Sequence, residues 1–337
     1  MSSWYLQCDD DVIVSSRVRL ARNIDGIAFP SRLSDDGFKS LCGLVKDAMP
    51  DNLGANVGKL NFIDMNLVPD TEKAAMVERH VISPAFCENS KNRGLILSND
   101  ESVSVMVGEE DHIRIQVIMS GSNIDECYKI ADNIDDALSD KLKIAFDKRL
   151  GFLTECPTNL GIGMRASFML HLPALQMSGQ INKIADSVNK IGLTVRGIYG
   201  EGSQSKAALY QLSNQITLGI SEQNAIDNLK SIAMQIVEKE KEARESISRI
   251  RLEDAVLRAK GTLMCCKILS SEEMMSLLSQ IKLGISMGII DLPKELPVRL
   301  MIEGQPNMLQ KKYGNMTYDE RDITRADFIS KNINNEV

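Results

Sequence analysis

Residues 12–20, VIVSSRVRL, put Val12, Val14, Val18 and Leu20 on one parity and Arg17 and Arg19 on the other. Period-two alternation predicts a half-buried strand whose polar face carries guanidinium groups. Residues 102–107, SVSVMV, alternate again, and beyond Gly108-Glu109-Glu110-Asp111 the run HIRIQVIM keeps Ile113, Ile115 and Val117 in register. Two alternating runs around a short Gly-acid loop predict an antiparallel hairpin. Residues 124–148 have helical spacing, with Ile124, Tyr128, Ile134 and Leu138 as the apolar stripe. Residues 165–172, RASFMLHL, predict another strand. INKIADSVNKIG predicts a helix ending at Gly192. The strand LTVRGI, a glycine-rich segment from Gly197 to Gly202 and the short strand ALYQLSN follow.

From about residue 221 the character changes. Ser221 is placed to cap a long helix carrying Ala225, Leu229, Ile232 and Ile236, and no strand pattern recurs after it. Ser270 with Glu273, and Thr317 with Glu320, have capping-box spacing. The pattern divides the chain into a mixed domain over 12–243 and a smaller helical domain over 250–337. There is no internal repeat and no low-complexity segment.

Composition narrows the function classes. The chain has 337 residues, enough for about two domains, and a net charge of −7. An acidic chain lacks the electrostatic footprint of a nucleic-acid binder, and 4% aromatics leaves little for base stacking. Three histidines (His80, His112, His171), with no H-E-x-x-H and no C-x-x-C, argue against a zinc site. Seven scattered cysteines suit a reducing compartment better than a disulfide framework. The start, MSSWYLQCDD, has neither the basic nor the apolar region of a signal peptide, and no apolar run reaches membrane-spanning length. A soluble cytoplasmic protein is expected, with no membrane partner.

Five arginines stand on strands or strand ends: Arg17, Arg19, Arg114, Arg165 and Arg196. On a sheet face they could grip a polyanion, because the guanidinium fork binds phosphate oxygens bidentately; parity alone equally allows arginines that are solvated or paired with acids. The loop Gly108–Asp111 could supply a general base or be an ordinary polar turn. RGIYGEG could be an active-site lid or a plain connection. A P-loop, a complete dinucleotide fingerprint and the protein-kinase motifs are all absent, so a nucleotide would have to bind by another architecture.

Taken together and in order, SSRVRLARN (15–23), EEDHIRI (109–115), CPTNLGIGMRAS (156–167) and RGIYGEGS (196–203) resemble the catalytic domain of the phosphagen (ATP:guanido) kinase family. ISPAF, HLPAL, QLSNQITLG and the tail's Arg321-Asp322-x-x-Arg325 are similar to its bacterial protein-arginine kinase branch. The resemblance implies an α+β fold: a large antiparallel sheet flanked by helices, followed by a small all-helical C-terminal domain. It implies ATP and Mg²⁺. The implied nucleotide contacts are His80, Arg114 and the stretches Ser15-Ser16-Arg17-Val18-Arg19, Arg165-Ala166-Ser167-Phe168-Met169 and Arg196-Gly197-Ile198-Tyr199-Gly200-Glu201. Cys156 matches the family's reactive cysteine, and a positively charged phosphate site would favour its thiolate.

The resemblance also assigns roles. A guanidinium with a pKa above about 12 is no nucleophile, so one carboxylate must take its proton and a second must hold the planar fork in line. Glu110 matches the family's base and Glu201 the second carboxylate; Glu109 would tune Glu110 or support the metal. The implied activity is transfer of the ATP γ-phosphoryl group to arginine side chains in proteins, marking stress-damaged proteins or repressors for a Clp-type unfoldase-protease. A zinc-binding activator, a repressor target and a homodimer or larger homo-oligomer go with it. The alternatives are a small-guanidine kinase and a non-catalytic phosphoarginine-binding adaptor. Arg321, Asp322 and Arg325 would form an allosteric phosphoarginine pocket, although Ala326 stands where the family motif has proline.

Overall fold

The computed structural model describes residues 3–50, 58–198, 205 and 207–336. Its strands are β1 (Ile13–Arg22), β2 (Leu60–Asp64), β3 (Gly94–Ser98), β4 (Val103–Val107), β5 (Ile113–Ser120), β6 (Phe146–Asp147), β7 (Gly151–Phe152), β8 (Met164–His171), β9 (Leu193–Gly197) and β10 (Leu209–Asn214). Among the described residues, eight of them form one sheet in the order β2-β3-β4-β5-β1-β8-β10-β9, while β6 and β7 make a separate small hairpin. Every pairing in the large sheet is antiparallel. The helices packed around it are α1 (Asp35–Ala48), α2 (Asp70–Glu78), α3 (Pro84–Glu88), α4 (Ile124–Ser139), α5 (Pro173–Met177), α6 (Ile181–Asn189) and α7 (Glu222–Glu245). The C-terminal region is α8 (Arg249–Cys265), α9 (Ser271–Ser286), α10 (Leu296–Glu303), α11 (Pro306–Tyr313) and α12 (Tyr318–Asn335).

The alternation decides which face each strand buries. Val18 and Leu20 of β1, Ile113, Ile115 and Val117 of β5, and Ala166, Phe168 and Leu170 of β8 share a core with Ile130, Ile134 and Leu138 of α4 and Ile226, Leu229 and Ala233 of α7. Each valine, leucine, isoleucine or phenylalanine among them, once fully buried, contributes roughly 1.5–3 kcal/mol before chain entropy is counted. Arg22 lies on this covered face. Its Nε donates to both Asp135 oxygens at 2.9 Å, its Nη2 donates at 2.7 Å, and its guanidinium stacks 3.5 Å over the Phe152 ring. A buried, forked pair of this kind ties α4 to the end of β1 and leaves no charge unmatched.

The opposite face is polar at its centre and covered at two margins. Met65, Met76, Val81, Ile82 and Phe86 pack on Leu95, Leu97 and Met106 at one margin. The C-terminal helices cover another, and they share a core with Trp4, Tyr5, Cys8, Val14, Ile118 and Leu209. The tail therefore has no core separate from the sheet. Polar contacts reinforce this joint: Glu78 of α2 accepts from the first backbone amides of α11, Asn307 at 3.0 Å and Met308 at 2.8 Å, where a carboxylate also meets the positive end of the helix.

The predicted caps form. Ser221 and Ser270 accept from the amides three residues on, and Thr317 makes the full reciprocal box with Glu320. One element is shorter than its spacing predicts: the helix starting at Ile124 stops at Ser139 rather than reaching 148. Beyond it the chain joins the end of β1, where the Asp25 backbone amide donates to the Lys143 carbonyl at 2.8 Å and the Ala145 amide donates to the Asn23 carbonyl at 2.7 Å. Backbone pairing outweighs continued helical propensity there.

Candidate active site

Strand register gathers the arginines. Arg19 lies opposite Gln116 of β5 and Arg165 of β8, Arg17 lies opposite Ser167, and Arg114 lies opposite Ala21. Arg196, at the end of β9, lies opposite Gln211 of β10, which in turn lies opposite Met169. All five arginines occupy the polar face. Directly opposed side chains sit about 5 Å apart at Cβ, and like charges there are destabilising. The environment works against these charges: burial, then Arg114, pulls Arg17 down to about 10. Burial, then Arg17, Arg114 and Arg165, holds Arg19 well below its ordinary value. Burial, then Arg196 and Arg114, lowers Arg165. Guanidinium does not give up its proton in proteins, so these shifts mean an unmet demand for negative charge. The Nε of Arg19 is buried without a hydrogen-bond partner among the described residues. Beside it lies a cleft of about 200 Å³ lined by Arg19, Glu109, Glu110, Arg114, Cys156, Thr158, Asn159 and Arg165. An anion with several oxygens is the ligand such donors fit.

The carboxylate loop between β4 and β5 forms one wall of the cleft. Glu109 accepts from Arg114 and from the Ser83 hydroxyl. Burial pushes its carboxyl up, but Arg114 and these hydrogen bonds outweigh that and leave it lowered. Asp111 is buried and accepts from Asn23 and from the Glu155 amide, both at 2.7 Å; burial nonetheless raises its pKa. His112 receives the Ile24 amide on Nδ1 at 3.0 Å, and its Nε2 faces the Ala28 carbonyl at 2.7 Å. An accepting Nδ1 and a donating Nε2 assign it the neutral tautomer, in line with a pKa lowered by burial. Glu110 is different: it is exposed at the cleft wall, and its carboxylate has no hydrogen-bond or ion-pair partner among the described residues. Of the three adjacent acids it is the one available to accept a proton.

The remaining site residues separate by side-chain direction. Ser15, Ser167 and Met169 share the arginine parity. Ser16, Val18, Ala166 and Phe168 point to the other face; Val18, Ala166 and Phe168 belong to the helix-covered core, and the Ser16 hydroxyl donates to the Gly121 carbonyl at 2.6 Å. These four offer the polar face only backbone. His80, with φ +61°, has its pKa pushed down to about 4 by burial and then by Arg17, so it lies beside the cage as a neutral ring. Ile198 packs against the C-terminal core. Tyr199, Gly200 and Glu201 lie outside the described residues. Cys156 lines the cleft with its Sγ 3.1 Å from the Thr158 hydroxyl. Ser83, Asn23, Thr158 and Asn159 support or line the site without any signal in spacing or parity. No group of three or more His, Cys, Asp or Glu is placed to hold a metal among the described residues, and no helix among them is long and apolar enough to cross a membrane.

The tail trio is not an open two-forked clamp. Arg325 is buried: its Nε donates to the Gly304 carbonyl at 2.8 Å, and its Nη1 donates to the Leu269 carbonyl at 2.8 Å and to Asp322. Arg321 is half-buried, its guanidinium 5.7 Å from the centre of the Tyr318 ring. Arg325 braces α12 against α10 and the start of α9, and Arg321 alone of the two forks has no such internal bonds among the described residues.

Comparison with known proteins bears on this geometry. Residues 41–243 match the profile of the ATP:guanido phosphotransferase C-terminal catalytic domain, and residues 249–336 match that of the protein-arginine kinase McsB C-terminal domain. A protein from Caldanaerobacter subterraneus subsp. tengcongensis named protein-arginine kinase is 43% identical over 98% of this chain and 99% of its own length. One of the same name from Bacillus subtilis is 44% identical over 100% of this chain and 94% of its own. Among solved structures, a lombricine kinase superposes with a TM-score of 0.61 at 21% identity, covering 72% of this chain and 70% of that one. The duplicated taurocyamine kinase of Schistosoma mansoni, with transition-state-analogue components bound, gives 0.62 at 23% identity over 92% of this chain and 41% of that one. The structural likenesses carry the fold, and the profile and sequence matches carry the kinship: the chain belongs to the ATP:guanido phosphotransferase family, in the branch that also carries the protein-arginine kinase C-terminal domain.

Proposed function

We propose that this enzyme transfers the γ-phosphoryl group of ATP to arginine side chains of proteins. The observation that carries the reading is the juxtaposition of the arginine face, with its orphaned Arg19 Nε, and the unengaged carboxylate of Glu110 on one cleft. Arg17, Arg19, Arg114, Arg165 and Arg196 bind the phosphates and stabilise charge on the transferring group. Glu109 holds Arg114 in place. Glu110 takes the proton from the guanidinium nitrogen as that nitrogen attacks phosphorus and the bond to the ADP oxygen breaks. Glu201 is the second carboxylate of this reading and holds the far side of the fork. Mg²⁺ would supply charge neutralisation on the phosphates. Glu109 and Asp111 already accept several hydrogen bonds, so an ion carried by the triphosphate with its own water shell fits this acidic wall better than a cage of protein ligands.

The same reading makes residues 12–243 the catalytic unit and 250–337 a regulatory unit, with Cys156 as a reactive thiol beside the transferring group. It carries with it a cytoplasmic setting, a homo-oligomer, and a role in marking proteins for a Clp-type protease. Substrate class is tested by supplying ATP with either an unfolded protein or free L-arginine. Phosphate appearing on the protein, with little turnover of the free amino acid, is the expected result. Preferential turnover of free arginine would make the enzyme a small-guanidine kinase, and absence of ATP turnover with either would leave only a binding role.

A further inference from the structure

The loop that presents Glu110 is held at several points, and one of the holders is a residue outside every motif. The Gly108 amide donates to the His112 carbonyl at 2.8 Å and closes the turn. Glu109 is fastened by Arg114 and Ser83, and Asp111 by Asn23. The Gly108 carbonyl is taken by the Nε of Arg93. Arg93 stands immediately before β3. Its Nη1 donates to the Lys91 carbonyl at 3.3 Å, and its guanidinium lies 4.3 Å over the ring of Phe38 on α1. Gly108 itself is pressed into this arrangement: its φ is +82°, and a Cβ there would come within 2.8 Å of the Phe38 ring. Phe38 thus meets both the arginine and the glycine at the root of the carboxylate loop. Arg93 does not line the catalytic cleft, so it acts only through the loop.

We propose that Arg93 is a positioning residue for phosphoryl transfer: clamped on Phe38, it fixes the Gly108 peptide and so the direction in which Glu110 meets the guanidinium of the substrate. The inference rests on Glu110 being the base. A planar fork stacked on a ring loses little freedom on binding a carbonyl, which makes it a stiff support. Misplacement of a reacting group by about 1 Å can cost about 100-fold in rate.

The test compares Arg93→Ala and Arg93→Lys with wild type in the full chain. It measures kcat, calorimetric affinity for a non-hydrolysable ATP analogue, and thermal unfolding. For Arg93→Ala, kcat is expected to fall about 10- to 100-fold with nucleotide affinity unchanged, because the phosphate-binding arginines are untouched. Arg93→Lys restores a donor and a charge but not the planar stack, so its kcat should lie between the two. If Arg93→Ala fails to fold, Arg93→Lys alone decides: wild-type kcat, or kcat and nucleotide affinity falling together, overturns the proposal. Glu110→Gln separates this from the underlying reading. Full activity in Glu110→Gln removes the base and the proposal together, whereas an inactive Glu110→Gln beside a fully active Arg93→Ala removes only the proposal.

Discussion

Replacing Arg165 by alanine should move stability and function in opposite directions, and the structure sets the size of both effects. Arg165 faces Arg19 across the β1–β8 pair and is also repelled by Arg196 and Arg114. Without nucleotide, two guanidinium groups in a partly buried site with an effective dielectric near 20 repel by about 2–4 kcal/mol at separations of roughly 4–8 Å. Removing Arg165 relieves that repulsion, at the cost of the packing of its aliphatic stem. Thermal unfolding of the nucleotide-free variant should therefore stay level or rise by a few degrees. With ATP the sign reverses. One charge-assisted fork lost from the phosphates costs about 2–4 kcal/mol at the transition state, or about 30- to 1000-fold in rate. The stabilisation that saturating ATP gives the wild type should shrink accordingly. Arg165→Lys should recover only part, because lysine lacks the fork. Differential scanning fluorimetry with and without ATP, together with initial rates, reads all three quantities. A variant that melts several degrees lower without ligand, yet binds ATP as the wild type does, would make Arg165 a structural arginine and not a phosphate ligand.

Glu110→Gln keeps the shape of the loop while removing the proton acceptor, so turnover should drop by about 100-fold or more while calorimetry still finds wild-type ATP affinity. Glu109, whose carboxyl is lowered by Arg114 and Ser83, contributes stability that is present above the ordinary carboxylate value and lost as pH falls through its lowered one. Denaturation midpoints taken from pH 7 to pH 3 should thus converge for wild type and Glu109→Gln at the acid end, and a constant gap would contradict the assignment. Breaking the buried pair of Glu240 and Arg244, bonded at 2.8 Å, by Arg244→Ala should destabilise by about 3–5 kcal/mol, seen as a lower urea midpoint. Arg325→Ala should weaken the fold on similar grounds, because it strands two carbonyls and Asp322. Arg321→Ala is therefore the cleaner probe of phosphoarginine binding, with calorimetric affinity lost in a folded protein as the expected outcome.

Strands β1, β4, β5, β8, β9 and β10 are legible in the sequence because polar letters interrupt the apolar ones along them, even in β4, where all five residues are buried. Strand β3 is not: its run GLILS has no polar letter between its apolar ones, so there is no period to read. The arginine cage is half legible. Parity puts Arg17 and Arg19 together, but that Arg114 and Arg165 lie beside them follows from strand order, which no local pattern encodes. The same limit hides Ser83, Asn23 and Arg93, single residues whose roles come from contacts across 15 to 88 positions of chain. In the tail, helical spacing correctly puts Arg321 and Arg325 one turn apart, yet Arg325 is buried against two carbonyls, because a helix wheel says nothing about what covers each face.

The proposed reaction makes a phosphorus–nitrogen bond on the arginine side chains of proteins. Phosphorus NMR of an unfolded protein incubated with the enzyme and ATP tests it most directly. A new resonance on the protein is expected, one that is lost in mild acid, persists in alkali, and is absent with Glu110→Gln. An acid-stable phosphate ester on serine, threonine or tyrosine, or a signal undiminished by Glu110→Gln, would contradict it.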